Sequence, residues 1–353
     1  MALSRTVRRI ERDLYDRLGR HLSDYERALV EAWAAAWAIT GVEVEAALQD
    51  MILGAQGGRV TRTMMLRNQR LMAALDAMEP ALEQALSHTT VTLTVAMRES
   101  IQAAAAAEAA MLAAQLPAEI GVGSILPTGT RLVGASPEQV AAIVDRVTGR
   151  IHAQSWPLAS EARVAIKREL LRGITVGANP RVAARRALTG IADLWDGGLS
   201  RATTIARTEM LDAHRAAGQA VDEANADLVT EWMWEAHLGP RTCRACLSMH
   251  GQRFPVAEPG PQGHQNCRCA RIPVTKTWAE LGFKNVREPR PLAGRSAEAY
   301  FNRLSESNQR AILGNRGYEA WKAGDYPMSE WSKRQSSTGW RDSYVATVPP
   351  KAA

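Results

Sequence analysis

Aromatic carbon outside tryptophan is scarce: the 353 residues include three Phe and six Tyr against ten Trp. A core built on Trp must find an acceptor for each indole N–H or leave part of the ring wet. Long apolar runs are missing too. The most hydrophobic stretch, Ile101 to Leu116, is alanine-rich and carries Gln102, Glu108 and Gln115. It is too short and too polar for the roughly 20 apolar residues that cross a bilayer. The first residues, Met1 to Arg9, enter a charged amphipathic pattern with no apolar signal core. The expectation is a soluble protein of the reducing cytosol, without a membrane anchor. No repeat with a period of about 20 to 50 residues is present, which excludes solenoids and propellers. Also absent are Gly-x-x-x-x-Gly-Lys-Ser/Thr, Gly-x-Gly-x-x-Gly, Gly-x-Ser-x-Gly and His-Glu-x-x-His, and with them the commonest phosphate-binding, dinucleotide, serine-hydrolase and zincin signatures.

Apolar residues make up 46% of the chain and charged residues 23%, as in ordinary globular proteins. The formal charge is +6, and it is unevenly placed: residues 276–353 hold 13 basic against 8 acidic side chains, a net of +5. Such a tail is either a solvated face or a salt-dependent phosphate contact.

Periodicity reads as mainly α. Val7, Ile10, Leu14 and Leu18 step by three and four, as do Leu71, Leu75, Met78, Leu82 and Leu86, each set forming one apolar stripe. Gly41 and the Gly54/Gly57/Gly58 cluster are the expected breaks. Residues 1–118 are therefore expected to be long helices forming an arm or a bundle. Trp33 and Trp37, one turn apart, suit a core or a docking patch. Residues 119–137 are dense in Gly and Pro and read as a linker. Ser136-Pro137-Glu138 opens a helix, with Ser136 as N-cap and Pro137 at the first helical position. Residues 138–275 follow as helices, punctuated at Trp156-Pro157, Gly177–Pro180 and Gly197-Gly198. They end in a small β element that carries Trp232 and Trp234 on one face of a strand. Residues 276–353 are expected to be an irregular, basic C-terminal extension.

The densest chemical signal is Cys243-x-x-Cys246, followed by His264-x-x-Cys267-Arg268-Cys269. Two thiolates two residues apart fit one turn and one ion, and the second cluster can close a tetrahedron from across the loop. The candidate metal ligands are Cys243, Cys246, His264, Cys267 and Cys269, five groups for four places, with His250 a sixth. A site rich in thiolate leaves no position for a catalytic water, so structural Zn2+ is the expected cofactor and no catalytic residue is assigned. The competing readings are two disulfides in an oxidising compartment, or free thiols in a hairpin held by packing. A second feature is Arg207 and Glu209 on one helix, followed by His214. These read as a structural ion network tying that helix to the cysteine hairpin, or else as an acid/base group.

Taken in order, Ala206-Arg207-Thr208-Glu209, Trp234, Arg241-Thr242-Cys243-x-x-Cys246 and His264-Gln265-Asn266-Cys267-Arg268-Cys269 resemble the phage Mu F-like minor head (head morphogenesis) proteins. Ser248-Met249-His250-Gly251 stands where Leu-Asp-Gly is usual in that family, and Gln265 replaces a common Pro. Gly173 to Pro180 resembles the segment before the family motif. Tyr300–Leu304, Asn308–Gly314 and Tyr318-x-x-Trp321-x-x-Gly324 resemble segments that follow it. The resemblance implies a structural virion protein, not an enzyme, inside the head near the portal vertex. Its implied partners are the portal protein, other capsid proteins and, through the basic tail, packaged DNA, with a role in head assembly and DNA packaging or ejection. The alternatives are a metal-dependent nuclease built on His264, His250 and the hairpin, or a DNA-binding module.

Overall fold

A computed structural model describes residues 5–54, 61–155, 158–161, 164, 168, 180–289, 296–337 and 340–350. The chain is mainly α, as its periodicity predicts. Its principal elements are α1 (Arg5–Gly54), α2 (Arg62–Arg67), α3 (Gln69–Ala113), α4 (Pro137–Ser155), α5 (Pro180–Ala224), β1 (Val229–Glu235), α6 (Arg244–Met249), β2 (Arg253–Pro255), β3 (Ala270–Thr275), α7 (Ala297–Asn302), α8 (Glu306–Ala323), β4 (Ser332–Ser337) and β5 (Trp340–Ala346). The predicted break at Trp156-Pro157 lies outside the described residues, as does the one at Gly177–Pro180 up to its last residue, Pro180, where α5 begins. The elements form two compact units: Met1–Leu18 with Arg98–Val144 and Met210–Ala353, and Gly19–Met97 with Asp145–Glu209.

In the second unit, Leu29, Trp33, Leu71, Leu75, Met78 and Leu82 are all buried. Thr61 caps α2 by accepting from Met64 N at 3.2 Å, and Asn68 Oδ1 accepts from Leu71 N at 2.9 Å to start α3. Two predicted breaks do not occur. Helix α1 runs straight through Gly41, and α5 through Gly197-Gly198. The physical reason is packing. A Cβ on Gly41 would lie 2.8 Å from Trp37 Cε2, and one on Gly198 would lie 3.0 Å from Trp33 Cζ2. Each of these glycines makes room for an indole, and the helix hydrogen bonds outweigh a glycine cost of roughly 1 kcal/mol.

The first unit holds a three-stranded sheet, ordered β2-β1-β3 and antiparallel throughout, and the two-stranded β4-β5 pair. Alternation splits β1 between two layers. Met233 packs with Val7, Met111, Ala270 and Ile272. Trp232 and Trp234 point the other way, into a cluster with Cys246, Met249, Cys267 and Cys269. Residues 121–133 form a turned-back loop in which Gly123 N donates to Leu132 O at 2.7 Å and Leu126 N to Thr130 O at 2.8 Å. Asn225, just past α5, clamps its base: Oδ1 accepts from Val133 N, and Nδ2 donates to Val133 O and Val221 O. Helix α4 starts as a capping box. Gln139 N donates to Ser136 Oγ, and Ser136 N donates to Gln139 Oε1.

The C-terminal extension has a core of its own, built from Phe301, Leu313, Tyr318, Tyr326 and Trp331. Leu247 of α6 is part of that core. Arg244 also donates to Thr347 O at 2.9 Å, and Ser248 Oγ meets Ser332 Oγ at 3.1 Å. The short helix that follows Cys243 is thus packed directly on the C-terminal residues.

Candidate metal centre

Cys243 is the N-cap of α6, where its Sγ accepts from Cys246 N at 3.4 Å. The approach is a tight turn: Gly239 N donates to Thr242 Oγ1 at 3.0 Å, and Thr242 Oγ1 donates to His237 O. The two-residue spacing puts both sulfurs at the same end of the helix. The loop from Gly260 to Cys269 then brings His264 and two more sulfurs to them. His264 Nε2 lies 3.1 Å from Cys243 Sγ and 3.5 Å from Cys246 Sγ, and Cys246 Sγ lies 3.7 Å from Cys267 Sγ. Ligand-type atoms of Cys243, Cys246 and His264 come within 4.8 Å of one another, as do those of Cys246, Cys267 and Cys269. Cys246 belongs to both groups.

These side chains fit a tetrahedral ion. With Zn–S near 2.3 Å and Zn–N near 2.0–2.1 Å, a tetrahedron has S···S edges of about 3.8 Å and S···N edges of about 3.5 Å. The separations of 3.7 and 3.5 Å match those edges and the 3.1 Å from Cys243 to His264 is shorter than one, whereas a disulfide needs sulfurs about 2.05 Å apart. The imidazole is set for the task too. Its Nδ1 lies 2.6 Å from Gln265 O, and a carbonyl only accepts, so Nδ1 carries a hydrogen and Nε2 is the ring atom turned to the sulfurs. Electrostatics points the same way. A hydrogen bond from Cys246, aided by His264, pulls the Cys243 thiol down to about 4, and Cys246 also holds Cys267 well below the usual thiol range. The Cys243 sulfur in turn raises His264 to about 9. Protons shared on Cys246 and His264 thus bridge the same sulfurs that a cation would bridge.

The other predicted residues go elsewhere. His250 joins neither ligand group: its Nδ1 accepts from Ala236 N at 3.0 Å and lies 3.6 Å from Glu235 Oε2. Arg207 pairs with Glu26 of α1, and Glu209 accepts from Gln154 Nε2 of α4 at 3.3 Å, with Arg150 at 3.9 Å. His214 meets Ser100 Oγ at 2.5 Å. The residues of α5 that hold the cysteine loop are Asp212 and Arg215, one and two turns beyond the motif. Arg215 Nε donates to Cys269 O at 3.2 Å, its NH2 donates to Cys267 O and Cys269 O, and its NH1 pairs with Asp212 Oδ1 at 2.7 Å. Trp234 Nε1 is buried beside Cys269. Gly263 lies so close to Cys267 that a Cβ on it would run into Cys267 Sγ and Cβ. An Asp-x-x-Arg pair on a helix was visible in the sequence, but its carbonyl partners more than fifty residues away were not.

Residues 164–272 match the family described as Phage Mu protein F like protein. Over that segment the chain is similar to phage Mu F-like proteins. The match spans the Arg207–Glu209 helix, Trp234, Cys243, Cys246, His264 and the Cys267–Cys269 close. No curated protein and no solved structure matches the chain. Among the described residues, no helix is long and apolar enough to cross a membrane.

Proposed function

We propose that this Mu F-like chain is a minor head protein of a phage virion, placed inside the head near the portal vertex, where it acts in head assembly and in DNA packaging or ejection. The observation that carries the reading is the coincidence of the family match with the cysteine–histidine cluster. The segment shared with head morphogenesis proteins is the one that folds around Cys243, Cys246, His264, Cys267 and Cys269. The proposed cofactor is one structural Zn2+ held by four of these five, with the others around it. A donor set of three or four sulfurs fills the tetrahedron, so the ion pins the hairpin and carries out no chemistry. The proposed role is non-catalytic, with portal and capsid proteins as partners.

DNA is the proposed partner of the C-terminal extension. There Arg310 pairs with Glu306 and Glu319, Arg334 with Asp342 and Arg341 with Asp212, which reduces the charge available for phosphates.

Two measurements on the same preparation test the proposal. Elemental analysis with a thiol titration of the full chain is expected to give one zinc and few reactive thiols. Four reactive thiols and no metal would sink the zinc site. Heads assembled with and without the chain are expected to differ in portal incorporation or DNA content, and heads unchanged by its loss would overturn the virion role.

A further inference from the structure

One carboxylate connects the metal loop to two parts of the chain that are far from it in sequence. Asp212, on α5, lies between two guanidiniums. On one side is Arg215, 6% exposed, which holds the carbonyls of Cys267 and Cys269. On the other is Arg341 of β5, whose Nε and NH2 grip Asp212 Oδ2 at 2.6 Å and Oδ1 at 2.9 Å, while its NH1 donates to Gly263 O at 3.1 Å. The two arginines therefore fix the main chain on both sides of His264 and at Cys267 and Cys269. The same β-hairpin adds a backbone bond, Tyr344 N to Gln262 O at 2.7 Å, and the Tyr344 ring meets Trp234 edge-on at 5.6 Å.

We infer that Asp212 is a positioning residue for the metal loop, acting through Arg215 and Arg341, and that the β4–β5 hairpin is a strap that slows metal loss. The inference rests on the proposed zinc site. Three groups explain the effect. Ligands whose own backbone is held by charged hydrogen bonds are pre-organised, so an ion leaves only after the loop opens. Opening the Gly263–Cys269 segment requires breaking the carbonyl bonds of both arginines. Neither arginine keeps its aim without Asp212, because that carboxylate orients both guanidiniums.

The test uses the full chain loaded with zinc and follows transfer of the metal to a chromophoric chelator in excess. Asp212→Asn and Arg341→Ala are each expected to speed release by about 10- to 100-fold. Arg341→Lys, which can still reach one oxygen of Asp212, is expected to restore part of the loss. Arg334→Ala, on the same hairpin but paired with the exposed Asp342, is expected to release zinc at the parental rate. In Co2+-loaded protein, Asp212→Asn is expected to shift the visible bands, which report geometry at the ion; a general loosening of the fold elsewhere would leave them in place. If Asp212→Asn does not fold, Arg341→Ala decides alone, since it leaves the Asp212–Arg215 pair intact. Parental release rates in Arg341→Ala, with one zinc bound, would overturn the strap while leaving the metal site standing. A parental chain that neither contains nor takes up zinc would overturn the metal site, and the strap with it.

Discussion

Arg271, on β3, donates from Nε to Asp222 Oδ2 on α5 at 2.6 Å, and neither side chain is more than 2% exposed. The same guanidinium lies 4.7 Å from the Trp232 ring centroid and donates to Glu258 O and Val256 O. One buried cation thus joins the sheet, the long helix and the turn after β2, beneath the tryptophan layer that covers the cysteines.

Removing that cation is expected to be costly. Arg271→Met leaves Asp222 without its partner next to Glu108, and breaking a buried pair from one side costs about 3–5 kcal/mol. Denaturant unfolding of the full chain measures it. A loss below about 1 kcal/mol would mean that the pair contributes little beyond its own desolvation.

A second carboxyl makes the same place sensitive to pH. Glu108 is buried, carries an orphan Oε1, and shares a hydrogen bond with Asp222. Burial, with the nearby Asp222 charge, raises Glu108 well above the usual carboxylate range, and burial raises Asp222 to about 6. Carboxyls raised in the folded state stabilise it most below their unfolded values near pH 4, and that contribution is lost as pH rises through the folded values. Glu108→Gln, a neutral mimic of the protonated form, should therefore gain thermal stability over the parent at pH 7.5 and little at pH 4. A difference in Tm that stays constant over that range would show that no proton is held there.

Gly263 is a test of close packing at the metal loop. Gly263→Ala drives a Cβ into Cys267, so it is expected to lower the zinc content and to destabilise the chain by about 1–3 kcal/mol, as overpacking does. Gly149→Ala, in α4 with open space around it, is the matched control and should be neutral or slightly stabilising. Equal zinc content in the two variants would show that the proposed site tolerates movement of Cys267.

Asn225 ties the 121–133 loop to the end of α5 through Val133. Asn225→Ala leaves both main-chain groups of Val133 without that side chain, at about 1–3 kcal/mol for each buried group left unpaired. Limited proteolysis should then cut between Ile120 and Leu132 faster than in the parent. An unchanged cleavage rate would mean that the loop's own cross-bonds hold it.

Local signals carried much of this architecture. The Leu71 to Leu86 stripe sits on a buried helix face, and Ser136-Pro137 caps its helix through bonds three residues long, because both depend only on neighbours in sequence. The clustering of Cys243 and Cys246, and of His264, Cys267 and Cys269, was legible for a similar reason: spacing within a turn is a local property. Glycine does not break these helices. Gly41 and Gly198 lie inside long helices, since what they accommodate is a tryptophan ring, and a ring's approach is invisible to a scan along the chain. The ion network was half legible: Arg207 and Glu209 take partners from α1 and α4, whereas the clamp on the cysteine loop belongs to Asp212 and Arg215.

By itself, then, the sequence determined the helical class, the position of the cysteine–histidine module and the family of the segment that contains it, all written in spacings of a few residues. The tertiary structure decided what holds that module in shape. Arg215 reaches carbonyls 52 and 54 positions away, and Arg341 reaches Asp212 across 129. Such partners are selected by burial, because a charged group taken out of water must find its counter-charge wherever the fold brings one within reach.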